Sequence, residues 1–522
     1  MNLVRALGSI GGLTLASRVL GLVRDSLFAR FVGASFASDA FLIAFRLPNL
    51  FRALFAEGAF SAAFVPMFSK KVGEADGDTR AALAFADESL SVLLPVLIGF
   101  TAIMEIAAWP VVWALSGGFN DVTPDQFAFA VELSRITFPY LLLISLVSLL
   151  GGILNSLHRF WVNAAAPILL NLTLIIALLG FHHSDVLVTA RNQAIAVTVA
   201  GAAQLVWLIL ACRSAGVRLR IQMPRLSPDV RKLMSLIAPA AAGAGAVQIN
   251  LVISTALAAS LLAEGSVSYI YYADRLNQLP LGLIGIGLGT VLLPTIARQL
   301  GAGKDDEAMA TQNRGAELAL FLTLPATAAL VICGGPIIAA LFQHGAFTRS
   351  DTIHTAQALA AFSVGLPAYI LVKVLTPGFY ARSDTKTPMR FATISIAVNL
   401  LLNLALIVPL QHMGPPLATA IASWVNVGLL YRALRRRGHF HPDAQLSRRA
   451  WRLVGAALAM GAVMFFLNDR FAPYTTGSWT VRTLAMLALV GAGCVVYAVA
   501  CLGTGAVRIG DLRALLRRRP AA

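Results

Sequence analysis

SRVLGLVRDSLFARFVGASFASDAFLIAFRLPNLFRALFAEGAFSAAFVP, residues 17–66, is long enough to cross a bilayer twice. It is apolar apart from Arg18, Arg24, Asp25, Arg30, Asp39, Arg46, Arg52 and Glu57. An arginine at the centre of a membrane helix costs about 2.5–3.5 kcal/mol on insertion scales, so Arg18, Arg24, Arg46 and Arg52 facing lipid would together cost on the order of 10 kcal/mol. They are therefore expected to face a wet or protein-lined interior and to find counter-charge there. Asp25, Asp39 and Glu57 supply part of it, and the balance stays positive. The sharp expectation is an anionic ligand held at membrane depth. The milder one is that some of these arginines lie near helix ends and reach the interface, Arg30 and Arg46 first among them.

The rest of the chain gives this stretch its setting. Of 522 residues, 58% are hydrophobic and 13% charged, with mean hydropathy +0.76. A soluble globular protein carries about 25% charged residues, so that class is excluded. Apolar runs of about 20 residues follow one another without barrel-type alternation, which makes the fold class all-α and polytopic. The N-terminus leads directly into a first span, with no small-residue cleavage site, and is expected not to be a cleaved signal. The net charge of +16 does not call for nucleic acid, because the basic residues cluster in short connections where positive-inside orientation accounts for them. Cys212, Cys333, Cys494 and Cys501 show no paired spacing and lie in or beside apolar segments; they are expected as buried free thiols.

About fourteen spans are read, centred on 8–31, 39–68, 83–109, 128–150, 162–181, 188–211, 233–261, 270–298, 316–340, 353–377, 388–409, 415–434, 450–467 and 480–504. Alternate assignment of the loops puts nearly all lysine and arginine on one side, which places both termini in the cytoplasm. Long basic connections at 212–232 and 435–452 divide the chain into a six-helix lobe (1–222), a second six-helix lobe (223–440) and a terminal pair with a basic tail (441–522). A faint internal repeat at an offset of about 228 supports that division: Pro66 with Pro294, Asn171 with Asn399, Pro139 near Pro367, and Arg46 one residue out of register with Arg275. An even number of spans per half relates the halves by an axis along the membrane normal.

Asp274-Arg275 brings a second ionisable cluster to the eighth span. With the two halves packed face to face, Arg275 would stand opposite Arg18, Arg24 and Arg52, and guanidinium forks bind phosphate oxygens bidentately. The alternative for Asp274-Arg275 is a local interfacial ion pair. Lys373 reads as reaching toward the interface, a site role coming second. The glycines of LGLIGIGLGT (281–290) lack the strand a dinucleotide fingerprint needs and read as close helix contact or a bend. No phosphate-binding loop motif occurs, so ATP is not hydrolysed by this chain. His182-His183 with Asp185 could ligate a metal, but a solvated loop is the commoner meaning. No nucleophile–base pair stands out, so no catalytic residue and no metal site are assigned. DLRALLRRR (511–519) reads as an interfacial basic helix or simply a positive-inside tail.

SRVLGLVRD, SDAFLIAFRLPNLFRALFAEGAFSAAFVP, TFPYLLLISL, GGILNSLHRF, YYADRL, LFQHGAFT and VKVLTPGFYARSDTKTP together resemble the MurJ (MviN) lipid II flippases, within the multidrug/oligosaccharidyl-lipid/polysaccharide exporter superfamily. The resemblance runs along nearly the whole chain. It implies two six-helix lobes and two C-terminal helices lining a groove for the lipid tail. It implies transport of undecaprenyl-pyrophosphate-linked disaccharide pentapeptide from the cytoplasmic to the periplasmic leaflet of the bacterial inner membrane by alternating access. On that resemblance Arg18, Arg24, Arg52 and Arg275 engage the pyrophosphate. Asp25 and Asp39 match acidic partners in the gate region, Glu57 the acidic position of the second helix, and Asp274 is the local ion-pair candidate. The partners implied are lipid II and the phospholipid bilayer; the chain is expected to be a monomer that contacts cell-wall synthesis machinery.

One departure concerns sodium, which some family members hold on the seventh, eleventh and twelfth helices. Asn399, Asn403 and Thr419 have suitable spacing, but no carboxylate occurs from Thr385 to Pro442 or within 233–261. No cofactor is therefore expected, and the membrane potential, about 2.3 kcal/mol per charge per 100 mV, is the expected driver. The rival readings are an exporter of another polyprenyl-linked oligosaccharide, a drug/cation antiporter of the same superfamily, and a membrane scaffold with structural arginine pairs. An antiporter would favour an acidic central cavity, and this chain offers arginines.

Overall fold

A computed structural model describes residues 3–55, 59–74, 79–471, 473–474 and 477–507, and their side chains except at 3–10, 47, 51–55, 59, 62, 238–247, 286 and 290. Among the described residues every regular element is a helix. Ten of the described helical runs are long and apolar enough to cross a membrane. The protein is thus a multi-pass helical membrane protein, and many of its large apolar side chains are exposed on the helices.

Two compact units divide the chain, Met1–Ser268 and Tyr269–Ala522. The first holds α1 (Leu3–Val32), α2 (Phe36–Phe55), α3 (Ala59–Glu74), α4 (Arg80–Ile106), α5 (Ala108–Ser116), α6 (Pro124–Thr137), α7 (Pro139–Ser156), α8 (Phe160–Gly180), α9 (Val186–Ser214) and α10 (Pro228–Leu261). The stretch 39–68, expected as one span, is divided between α2 and α3; Glu57, between them, lies outside the described residues. The expected span at 128–150 is α6 and α7, bent at Pro139. Proline lacks the N–H that would continue the ladder, yet Phe138 keeps helical angles (φ −59, ψ −38), so the chain bends without stopping. A capping box starts α6: the Gln126 N–H donates to Thr123 Oγ1 (3.3 Å) and the Thr123 N–H to Gln126 Oε1 (2.9 Å). Packing in this unit is aromatic and close. Phe60, Phe64 and Phe68 stack in series and Phe85 stacks on Phe64. On α9, Gly201 leaves room for fully buried Tyr140, whose ring carbon would lie 2.6 Å from any added Cβ.

The second unit takes up α11 (Ser266–Gly301) from Tyr269 onward, then α12 (Asp305–Ile332), α13 (Gly334–Leu341), α14 (Arg349–Ser363), α15 (Leu366–Leu375), α16 (Pro377–Tyr380), α17 (Lys386–Leu410), a 3-10 turn at Gln411–Met413, α18 (Gly414–Arg436), α19 (Ala444–Phe471) and α20 (Trp479–Gly503). Its α14–α15 pair repeats the construction of α6–α7. Thr348 and Asp351 form a capping box, and Pro367 bends the chain a few residues after α14 ends. The terminal pair α19–α20 shares a core with Cys333, where Leu453, Met460, Met464 and Tyr497 are buried. On its outer side Trp451, Leu458 and Phe466 are 70% or more exposed, as a lipid-facing surface requires. Cys212, Cys333 and Cys501 are buried free thiols; Cys494, expected to be buried, is exposed on α20.

Candidate functional site: a buried arginine and a capped turn

Each expected site residue has its own surroundings. On α1, one face packs on α8 and carries Gly21 and Arg24. Arg24 is 8% exposed and Asp25 3%. The Arg24 Nε and Nη2 donate to Asp25 Oδ1 (3.0 and 2.6 Å) and its Nη1 donates to Asn171 Oδ1 on α8 (3.1 Å). Asn171 in turn donates to the Ser17 carbonyl (2.9 Å), and Gly21 lies against it, with 3.7 Å from an added Cβ to Asn171 Nδ2. The guanidinium is thus held as a plane between an acid on its own helix and an amide on the next. Arg24 lies about 12 Å of helix rise before the end of α1. Burying that charge is tolerable only because its donors are met. Arg18, on the same helix, is exposed.

Arg52 is part of α2, with its side chain outside the described set, and Glu57 lies outside altogether. In the second unit Arg275 is half-buried on α11; its Nη2 donates to the Tyr271 hydroxyl (2.9 Å), and its guanidinium carbon sits 4.9 Å from that ring's centroid. Asp274 accepts from Gln278 (2.5 Å).

Asp39 occupies the most elaborate site. Its carboxylate accepts the Gly265 N–H (2.8 Å), the Ser268 N–H (2.9 Å) and the Ser268 hydroxyl (2.5 Å). Ser38 and Ser268 share a hydroxyl–hydroxyl bond of 2.6 Å. The exchange is mutual, since Glu264 Oε1 accepts the N–H of Phe36, the first residue of α2 (2.7 Å). Acid at a helix start meets unsatisfied N–H groups, so the turn 264–268 and the start of α2 cap each other. A cavity of about 260 Å³ borders this contact, lined by Phe36, Asp39, Asp121, Gln126 and Glu264 among others.

Sequence reasoning missed Asn171, Glu264 and Ser268 as partners. The only signal at Asn171 was a polar side chain in an otherwise apolar run, matched by Asn399 in the repeat. Two further cations have partners that sequence reasoning did not name. Arg46, a candidate for reaching the interface, donates to Thr255 Oγ1 on α10. Lys373 lies against α11, its Nζ 2.6 Å from where a Cβ on Gly285 would be, so this glycine of the 281–290 run provides close contact of the expected kind. His183 Nδ1 accepts the Asp185 N–H (3.0 Å) while Asp185 caps α9 through the Leu187 N–H (2.9 Å), a structural turn. Among the described residues no cluster of three or more histidine, cysteine or acidic side chains could hold a metal.

For sodium, the residues of suitable spacing turn on one another. Asn399 Nδ2 donates to Thr419 Oγ1 (3.1 Å), Asn403 Nδ2 to Asn399 Oδ1 (2.9 Å), and the Thr419 hydroxyl to the Pro415 carbonyl (2.9 Å). Two amide NH₂ groups thus point into the cluster and no carboxylate does. A hard cation is held by charged or carbonyl oxygen.

A bundle of apolar helices with a buried, fork-bound arginine defines a multi-pass helical membrane protein. The backbone fold matches that of an inward-facing multidrug resistance MATE family transporter of the MOP superfamily with a TM-score of 0.66, at 15% identity, over 81% of this chain and 95% of that one. It matches a structure described as "Lipid II flippase MurJ, inward closed conformation" with a TM-score of 0.78, at 24% identity, over 97% and 99%. The family described as "Lipid II flippase MurJ" matches residues 28–485. A probable lipid II flippase MurJ of Rhizobium tropici is 42% identical over 100% of this chain and 98% of its own length. The lipid II flippase MurJ of Burkholderia cenocepacia is 36% identical over 99% and 100%. The chain belongs to the MurJ lipid II flippase family.

Proposed function

We propose that this protein flips lipid II, the undecaprenyl-pyrophosphate-linked disaccharide pentapeptide, from the cytoplasmic to the periplasmic leaflet of the inner membrane, and so serves peptidoglycan synthesis. It is a transporter, not an enzyme. The observation that carries the reading is Arg24: a guanidinium kept inside a membrane helix, oriented by Asp25 and Asn171, in a chain that belongs throughout to this family. Its role follows from exchange. Pyrophosphate brings oxygens that a planar fork matches bidentately, so substrate competes with Asp25 for Arg24, and Asp25 takes the fork back after release. Arg18, Arg52 and Arg275 join Arg24 on the headgroup in this reading. Asp39, with the turn 264–268, is the gate that must open and re-form.

The working arrangement we infer is two six-helix lobes, 1–222 and 223–440, with the pair 441–522 guiding the lipid tail, and with both termini in the cytoplasm. The capped, proline-bent pairs α6–α7 and α14–α15 support that repeat. The lopsided distribution of arginine and lysine supports the orientation. The chain works as a monomer beside cell-wall synthesis machinery, and the membrane potential, not sodium, resets it. The donor geometry at Asn399, Asn403 and Thr419 is the support for leaving sodium out. A drug antiporter shares the fold but would want acids where this chain has arginines.

Cells depleted of their own lipid II flippase and supplied with Arg24→Ala, Arg52→Ala or Arg275→Ala are expected to lyse although each variant inserts in the membrane. Full rescue by all three would end the pyrophosphate-site reading. Arg24→Lys is expected to fail as well, because an ammonium cannot hold Asp25 and Asn171 with one planar group.

A further inference from the structure

Between α9 and α10 the chain runs through residues 217–227 without a helix, and it is tethered all along that length. The Arg220 N–H donates to Asp87 Oδ1 (2.8 Å) and the Gln222 N–H to Ser91 Oγ (2.8 Å), both on α4. The Ser227 hydroxyl donates to Glu88 (2.6 Å), and Lys71 pairs with Asp229 just beyond (2.7 Å). Alternate amides at 220 and 222 are turned toward α4, so the N–H of Ile221 points the other way. Ile221 is 69% exposed, Met223 82% and Leu226 63%, and Arg218, Arg220 and Arg225 are exposed among them. A segment held this firmly would not leave three large apolar side chains bare in water without something to cover them.

Two independent features fix the depth of this strap. The tethers end at Ser91, and from Val92 to Met104 α4 carries no charge, so the strap lies where α4 passes from polar to apolar sequence. The start of α8, joined to the end of α9 by Arg159 Nη1 donating to Ser214 (3.1 Å), carries exposed Trp161, edge-on to Trp207 with ring centroids 5.9 Å apart. Tryptophans of this kind mark the headgroup layer.

We infer that residues 218–226 lie in the headgroup layer of an anionic phospholipid leaflet. The arginines take lipid phosphates, and Ile221, Met223 and Leu226 enter the acyl boundary. That the leaflet is the cytoplasmic one rests on the orientation proposed above. A basic residue near such a surface adds about 1 kcal/mol, or about fivefold, so three add about a hundredfold. Arg220, beside Asp87, adds least of the three.

The test is methionine footprinting of the full-length protein with a soluble peroxide, which converts accessible Met223 to its sulfoxide, read by mass spectrometry. In nanodiscs of phosphatidylcholine mixed with phosphatidylglycerol, Met223 oxidation is expected to slow by about tenfold or more relative to pure phosphatidylcholine. The protection should vanish in R218Q/R220Q/R225Q and, with no substitution at all, in high salt. Equal oxidation in the two lipids, or protection that survives both salt and the triple change, overturns the inference. Both faces of a nanodisc have one composition, so a failed footprint is a failure of the strap and not of the orientation. Labelling of Arg218→Cys from outside intact cells by an impermeant maleimide would instead overturn the orientation, and with it the choice of leaflet.

Discussion

Asp39→Asn tests the capped turn most directly. The carboxylate holds two backbone N–H groups, of Gly265 at 2.8 Å and Ser268 at 2.9 Å, and the Ser268 hydroxyl at 2.5 Å. Asparagine keeps one oxygen, which can stay with Ser268. Its NH₂ then faces the Gly265 N–H, donor against donor. One charge-assisted bond of about 1.5–3 kcal/mol is lost outright, and the other two lose the charge that strengthened them. A total of roughly 3 kcal/mol corresponds to about two decades in the local opening equilibrium. Hydrogen–deuterium exchange of the full-length protein should therefore show the Gly265 amide exchanging about 100-fold faster. Ser268→Ala, which removes the hydroxyl and its bond to Ser38 but leaves the carboxylate on both amides, should give only about tenfold. Lipid II transport should fall with the same ranking, since a turn that no longer closes leaves the gate open. If exchange at Gly265 changes by less than about threefold in Asp39→Asn while thermal unfolding is unaltered, the carboxylate does not hold this turn and the gate reading fails.

Three further outcomes follow from single contacts. Asn171→Leu strips an acceptor from buried Arg24 and a donor from the Ser17 carbonyl. It should cost about 1–3 kcal/mol in thermal stability and weaken lipid II binding in native mass spectrometry, whereas a purely structural Asn171 would lower stability alone. Gly201→Ala drives a Cβ to 2.6 Å from the Tyr140 ring and 3.1 Å from Leu143; overpacking there should cost about 1–3 kcal/mol, while Gly99→Ala, with nothing within 4 Å, should leave the melting temperature unchanged or raise it. Asp384, in the turn before α17, is held well below the usual carboxylate range by the Arg437 guanidinium (2.6 Å) first and by Thr387 second. A depressed folded value adds stability above the unfolded one, about 3.9, and that stability drains away as pH falls below it. Wild type should thus exceed Asp384→Asn by up to about 1 kcal/mol at neutral pH, the pair being partly exposed, and in melting curves the gap should narrow progressively as pH falls below about 4, closing only below the depressed folded value.

Much of the fold lies open in the sequence because membrane helices announce themselves by length and hydropathy. The apolar runs at 162–181, 188–211 and 480–504 match α8, α9 and α20 within about three residues. Where a proline falls inside such a run the hydropathy does not change, so the bend at Pro139 is invisible to it. The site was legible in part. That Arg24 needs a polar partner follows from the cost of burying it, and Asp25 next to it in sequence was a candidate. Asn171, 147 residues away, was not, because no periodicity links α1 to α8. Arg46 shows the same limit: its need for a partner could be read from α2, while the partner, Thr255, is 209 residues distant. Local rules name the groups that need satisfying and leave the satisfying group to tertiary packing.

On the pyrophosphate-exchange reading proposed above, the pairing of Arg24 with Asp25 sets how tightly the ligand is held. A bare cluster of arginines at membrane depth would hold pyrophosphate tightly and release it slowly. An arginine already committed to an acid offers the ligand only the difference between two interactions of similar kind. That difference is small when both partners are forked onto the same guanidinium in the same low-dielectric surroundings. A transporter needs this, since affinity that is not returned on the far side of the membrane halts the cycle. Asp25→Asn should therefore bind lipid II more tightly and transport it more slowly, whereas loss of a merely structural ion pair would weaken both. Tighter binding together with undiminished transport would show that Asp25 plays no part in release.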